Sequence, residues 1–394
     1  MDRGAIAEVN LSAIAYNFQA VRKIVKNRQI IAVVKADAYG HGAVEVSKRF
    51  IKEGASYLAV AFIDEAVKLR DAGITAPIIV LFDRKEVREF FDFKLIPVVY
   101  NVDDALSLST EARKRNTVLH IHVKIDTGMG RIGLSGNPLI DELEKIAKME
   151  RIKITGLISH FSDADLSDKS YATVQLEKFN KVRETLSRKL NRKIFSHIAN
   201  SAAVLTFKDA YLDAVRPGIM LYGYSPIQKS EVRADSTPSL TLPPRGGGQG
   251  WGGVSEFVDL IPAMKVKTKI LCIRNVALGS PVSYGRTFIT KRQSRIGVIP
   301  VGYADGYNRL FSNNADVLVK GRRVPVVGRV CMDLTMIDVT DIKNVREDDE
   351  VIMLGQQGKE SITAYELAFR AHTIPYEILT SLGGKSRKTY VKAS

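Results

Sequence analysis

From residue 30 to about 221, short apolar runs alternate with amphipathic stretches, and no other feature restricts the possible folds as strongly. The runs are "QIIAVVKA" (29–36), "YLAVAF" (57–62), "PIIVLF" (77–82), "LIPVVY" (95–100), "VLHIHVKI" (118–125), "ITGLISHF" (154–161), "FSHIAN" (195–200) and "AVRPGIML" (214–221). Most are separated by roughly 10–20 residues with helical spacing. In "SYATVQLEKFNKVRETLSRKL" (170–190), for example, Val174, Leu176, Phe179 and Val182 recur at helical intervals. Eight strand-like runs alternating with helices fit a (β/α)8 TIM barrel better than an open doubly wound sheet, for which about five to seven would be usual.

After residue 260 the texture changes. "AMKVKTKILCIRNV", "SRIGVIPVGYADGY", "ADVLVKGRRVPVVGRV" and "DLTMIDVT" are β-rich and separated by Gly, Asn and Asp turns, with one clear helix expected near "TAYELAFRAH" (363–372). Between the two regions lies "STPSLTLPPRGGGQGWGGVS" (236–255), rich in Pro and Gly and without apolar periodicity. Such a composition buries too little surface to offset its ordering entropy. The expected division is therefore a barrel over 1–225, a flexible insertion over 226–258 and a mainly β domain over 259–394. A chain of 394 residues is long enough for two domains, since single cores seldom grow past about 250–300 residues.

A hydrophobic fraction of 45% with 26% charged residues is ordinary for a soluble globular protein. No run approaches the roughly 18 apolar residues of a membrane span. The N-terminal stretch has no apolar signal-peptide core, so the cytoplasm is the expected compartment and a membrane is not an expected partner. Cys272 and Cys331 form no pattern that suggests a disulfide framework or a metal site. The net charge of +15 raises nucleic acid as a partner, but the basic residues are spread along the chain among acidic ones. With no recognition-helix or RNA-binding signature, a basic surface around an anionic ligand is the more economical reading.

In such a barrel, reacting groups sit at the C-terminal ends of strands and in the loops that follow. Lys35, in "AVVKADAYGHG", falls at that place on the first strand. On position alone, a surface lysine capping a strand is the better reading. The stretch strongly resembles the pyridoxal-phosphate lysine motif of the bacterial alanine racemases. The resemblance continues through "HVKIDTGMGRIG" (122–133), "ISHFSDAD" (158–165), "HIANSAA" (197–203) and "VRPGIMLYG" (215–223). It extends to "VSYGRTF" (282–288), "IPVGYADGY" (299–307) and "VGRVCMDLTMID" (327–338), in order over nearly the whole chain.

The resemblance implies pyridoxal 5′-phosphate as cofactor, held by Lys35 through an internal Schiff base, and a small amino acid as substrate. It implies that Lys35 and Tyr284 act as the two proton handlers on opposite faces of the substrate carbon. A free phenol, with a pKa near about 10, is a poor base at neutral pH. By matching positions, His160 would bond Tyr284, and Arg216 would bond His160 and the pyridine nitrogen. Guanidinium does not give up its proton, so that nitrogen would stay unprotonated.

The same resemblance makes Tyr39, Asn200, Ser201, Gly218, Ile219 and Tyr303 cofactor-binding residues, with the phosphate held mainly by Tyr39, Ser201, Gly218 and Ile219. Arg131 and the Met332 backbone N–H would meet the substrate, supported by Lys124 and Asp333. Lys124 matches a lysine that is carbamylated in part of the family. Many relatives carry a phosphate-binding tyrosine near the C-terminus, where this chain has Gly384, so either Tyr390 or another group substitutes or the contact is missing. A homodimer with shared active sites is implied, because Tyr284 and the Met332 loop would reach the partner's barrel. Serine or a broader amino-acid set is the alternative substrate. A decarboxylase of the same fold type would need a carboxylate at the ring nitrogen and a cysteine opposite the lysine, where this chain has Arg216 and Tyr284.

Overall fold

A computed structural model describes residues 4–83, 86–227 and 258–391. All eight apolar runs contribute a strand to one parallel sheet. Its order is Phe195–His197, Ile152–Ile158, Leu119–Lys124, Ile96–Val99, Ile78–Val80, Tyr57–Val60, Gln29–Val33, Ala214–Val215. Helices cover the outside, so side chains on both faces of the strands are buried, as with Ile30, Ile31, Ile78, Ile79 and Val80. The two end strands approach each other. The Asp213 N–H donates to the Ser196 carbonyl (3.2 Å) and the Arg216 N–H to the Ala199 carbonyl (2.8 Å), which nearly closes the barrel.

Most strands stop before their apolar runs do. The first ladder ends at Val33 and the last at Val215, yet Val34, Ile198, Ala199 and Ile219 beyond the ladders are fully buried. These surplus residues form the loops at the C-terminal mouth. A helix from the second domain covers the loop at residues 36–42: a Cβ at Gly40 would lie 2.4 Å from the Leu379 carbonyl oxygen. That helix, Pro375–Lys385, was not expected beside Ala364–Arg370. It starts with proline in its first turn, a good helix opening, but Gly383 and Gly384 weaken its pattern. The long helix is Ser170–Lys189, and its buried face runs through Ala172, Leu176, Phe179 and Leu186. Val174, expected on that face, points outward and is 39% exposed, since positions 172 and 176 define the buried stripe.

The second domain is mainly β. Its larger sheet runs Arg322–Pro325, Asp316–Val319, Glu350–Gln357, Met264–Lys269, Ile6–Asn10, Arg387–Val391, with Glu360–Ile362 paired to Glu350–Gln357. A three-stranded sheet joins Cys272–Val276, Ser294–Ile299 and Thr335–Asp338. The hairpin after Val319 turns through Lys320 and Gly321, both with positive φ (51° and 74°), the geometry that matches strand twist. The expected boundary counts residues 1–225 with the barrel. The first strand nevertheless pairs antiparallel with Met264–Lys269 and parallel with Arg387–Val391. It then hands the chain to the helix Leu11–Val25, whose first N–H groups at Ser12 and Ala13 donate to the Asn10 side chain. The insertion expected over 226–258 lies outside the described residues except at its edges. Among the described residues, no helix is long and apolar enough to cross a membrane.

Candidate active site

Where the first barrel strand ends, the backbone turns the wrong way. Ala36, Asp37, Ala38 and Tyr39 all have φ between 51° and 54°, a left-handed turn of four residues with side chains. Each such residue costs about 1–2 kcal/mol relative to the right-handed form. Hydrogen bonds at every part of the turn hold it. The Ala36 N–H donates to Glu65 Oε1 (2.6 Å), and the Ala43 N–H to Asp37 Oδ1 (2.8 Å). Lys388 pairs with the other Asp37 oxygen at 2.9 Å. His41 Nδ1 lies 3.1 and 3.0 Å from the Ala38 and Tyr39 carbonyls, and so donates to them.

The turn directs Lys35 and Tyr39 into one cavity of about 500 Å³ at the barrel mouth. Every candidate residue from the barrel half lines it. Tyr39 stacks on Tyr222 with ring centres 4.9 Å apart, and its hydroxyl sits where a Cβ on residue 218 would come within 2.5 Å. Gly218 is therefore required for this approach. Ser201 opens the helix Ser201–Thr206, which Asn200 caps by accepting the Ala203 N–H (3.0 Å). The Ser201 hydroxyl accepts the Gly218 N–H at 2.8 Å, which brings Ser201, Gly218 and Tyr39 to one corner beside buried Ile219.

Arg216, buried, lines the same cavity and donates five hydrogen bonds. Nη1 meets His197 Nδ1 and the His197 carbonyl, both at 2.8 Å. Nη2 meets the Ser159 carbonyl (2.6 Å), the Ile198 carbonyl (3.2 Å) and His160 Nδ1 (3.3 Å). A guanidinium only donates, so both imidazoles accept at Nδ1 and carry their proton on Nε2. His197 then donates to His122 Nδ1 (3.1 Å), which fixes that ring in the same tautomer. Burial first, and the Arg216 charge second, push all three imidazoles well below their ordinary range, His122 to about 3. They are neutral near pH 7.

Arg131 stands on a loop built around Asp126, whose carboxylate accepts the N–H groups of Gly128, Gly130 and Arg131 at 2.9, 3.1 and 2.9 Å. The Tyr171 hydroxyl donates to the Gly128 carbonyl (3.0 Å). The Arg131 guanidinium lies 5.7 Å from the Phe82 ring centre and Lys35 Nζ 5.5 Å from the same ring. Burial, then the Arg131 charge, lower the proton affinity of Lys35, while Glu65 opposes this. Lys124, only 6% exposed, is lowered well below a free lysine by burial, then by Arg216 and Arg131. Lys35, Lys124, Arg131 and Arg216 face the cavity, with Glu377 the one carboxylate lining it among the described residues, a balance suited to an anion.

Four candidates stand elsewhere. Tyr284, Tyr303 and Met332 are 70%, 43% and 54% exposed on the second domain, and with Asp333 they do not line this cavity within one chain. Tyr390 also does not replace the expected tyrosine here. Its hydroxyl abuts Gly42, and Tyr376 and Thr380 of the helix Pro375–Lys385 line the cavity instead. His122, His197, Glu65 and Phe82 were not singled out from sequence. The two-residue spacing of His122 and Lys124 on one strand was the available signal for the first.

Two family profiles match the chain: "Alanine racemase, N-terminal domain" over residues 9–226 and "Alanine racemase, C-terminal domain" over 263–390. The chain is 50% identical to the alanine racemase of Thermodesulfovibrio yellowstonii, over 99% of both chains. It is 42% identical to that of Halothermothrix orenii, over 98% of this chain and 96% of the relative. Among solved structures, the alanine racemase of Clostridium difficile 630 superposes with a TM-score of 0.87 at 33% identity, covering 100% of this chain and 97% of that one. The alanine racemase of Bartonella henselae with covalently bound pyridoxal phosphate superposes at 0.80 with 28% identity, covering 99% and 100%.

Proposed function

The chain belongs to the alanine racemase family, and from this we propose that it interconverts L- and D-alanine with pyridoxal 5′-phosphate carried on Lys35. We further propose a two-base reaction, with D-alanine passing to the cell wall as a peptidoglycan precursor. The observation that carries this reading is a lysine with lowered proton affinity in a cationic cavity that it shares with the buried Arg216 and the Tyr39–Ser201–Gly218 corner.

The residues suit this cofactor. The corner of Ser201, Gly218 and Tyr39 brings two hydroxyls together, an approach that only glycine at 218 allows, and hydroxyl O–H groups suit a phosphate. Lys35 is a primary amine within the same cavity, and Arg216 lines it as well. When bound, the cofactor supplies an aldehyde for that amine and a conjugated ring that accepts the charge left at the substrate carbon.

Lys35 removes or returns the Cα proton on one face. Tyr284 of the partner subunit does so on the other, the role that accounts for a tyrosine left 70% exposed on one chain. Arg216 donates toward the ring nitrogen without transferring a proton. His160, which accepts from Arg216 at Nδ1, has its Nε2 proton to offer the phenol. Arg131 pairs with the substrate carboxylate, and buried Lys124 stands beside it. Tyr303 and Met332 of the partner subunit narrow the entrance and favour a small side chain, with Asp333 orienting the Met332 loop.

Borohydride treatment of the holoprotein is expected to fix the cofactor's mass on the Lys35 peptide. A panel of L-amino acids is expected to give D-alanine fastest. Labelling elsewhere, or no racemisation of any panel member, sinks the reading. Gly218→Ala places a methyl 2.5 Å from the Tyr39 hydroxyl. It is expected to weaken cofactor binding about tenfold, roughly the loss of one charge-assisted hydrogen bond. Equilibrium titration of the apoprotein with pyridoxal phosphate measures this.

A further inference from the structure

We propose that Glu65 is a positioning residue for Lys35, holding the left-handed turn that aims the lysine amine at the substrate. The inference rests on the Lys35 reading above. Glu65 occupies the third position of the helix Ile63–Asp71. A glutamate there commonly folds back on its own helix start, and Oε2 does so, accepting the N–H groups of Ala61 (2.6 Å) and Phe62 (3.3 Å). Oε1 does something the helix does not need. It crosses to the neighbouring loop of the barrel and accepts the Ala36 N–H at 2.6 Å.

That N–H belongs to the peptide joining Lys35 to the first left-handed residue, and Ala36 lines the cavity. A right-handed or extended residue 36 would rotate this peptide and swing the Lys35 side chain with it. Ala36 has a Cβ and gains nothing intrinsic from φ of 51°. A charged acceptor outside the turn therefore selects the conformation. Asp37, Lys388 and His41 bind the later parts of the turn, so Glu65 is the group acting on the peptide next to the lysine.

The test compares Glu65→Gln and Glu65→Ala holoenzymes with the wild type. Glutamine keeps one oxygen for Ala36 but sets an amide NH2 against the other two donors. The expected fall in kcat is about tenfold for Glu65→Gln and about a hundredfold for Glu65→Ala, with KM changed less than about twofold. Because Lys35 serves only one face, the primary isotope effect on α-deuterated alanine should rise for one enantiomer and stay unchanged for the other. General loss of structure would not separate the enantiomers. Unaltered isotope effects, equal changes for both enantiomers, or variants that fail to fold before binding cofactor would each overturn the proposal. If wild-type protein itself carries no cofactor on Lys35 after borohydride, the function reading fails first, whatever the variants do.

Discussion

A Lys35→Ala chain and a Tyr284→Phe chain, each nearly inactive alone, are expected to recover about a quarter of wild-type activity when mixed equally and allowed to exchange subunits. Loss of a positioned acid–base group costs roughly 10²–10⁴-fold, and Lys35 also carries the cofactor, so both homodimers fall near background. Half of the randomly formed dimers are mixed. In each, one of two sites joins the intact Lys35 of one subunit to the intact Tyr284 of the other, giving about a quarter of all sites. The reason lies in exposure: Tyr284 is 70% exposed and absent from the cavity of its own chain, whereas Lys35 lines it. Racemisation measured before and after exchange decides the matter. No recovery in a verified heterodimer would place both groups in one chain's site.

Acid is expected to unfold the protein steeply between about pH 6.5 and pH 4. Four imidazoles titrate below the ordinary histidine range: His41 near about 4, His122 near about 3, and His160 and His197 well lowered, in each case with burial the largest cause. In the unfolded chain all four take up protons around pH 6.5, while the folded chain resists. The unfolded state thus binds more protons, and stability falls as pH falls through this window. With four groups the limiting slope is about 5 kcal/mol per pH unit. Above pH 7 these groups contribute no slope. Thermal melts of the apoprotein from pH 7.5 to 4.5 should show the midpoint flat at first and then dropping quickly. A midpoint that holds steady down to pH 5 would mean the imidazoles are not neutral in the fold. His197→Phe should flatten the drop and, by removing a 2.8 Å acceptor from Arg216, lower cofactor affinity as well.

Much of this was readable as text. Eight apolar runs placed eight barrel strands, because a strand covered on both faces must be apolar throughout, and burial of that kind leaves a local mark. The motifs around Lys35, Arg131, Ser201 and Arg216 lay at strand ends, and the fold brought them to one mouth. Other features left no local mark. The helix Pro375–Lys385 closes over the cavity despite two glycines near its end, since packing on the turn at residues 36–42 outweighs propensity. Val174 looked like core and faces water, one position off the buried stripe.

The chain's local patterns thus settled the eight barrel strands, the β character of the second domain and which residue types are available, since those follow from periodicity and chemical character along the backbone. Folding in space settled the rest. It put strand Ile6–Asn10 in the far domain's sheet, linked Arg216 directly to His160 and His197 and through His197 to His122, and set Glu65 on the peptide beside Lys35. These are contacts between segments distant in sequence. Their energies depend on distance and burial, quantities that exist only once the chain has closed on itself.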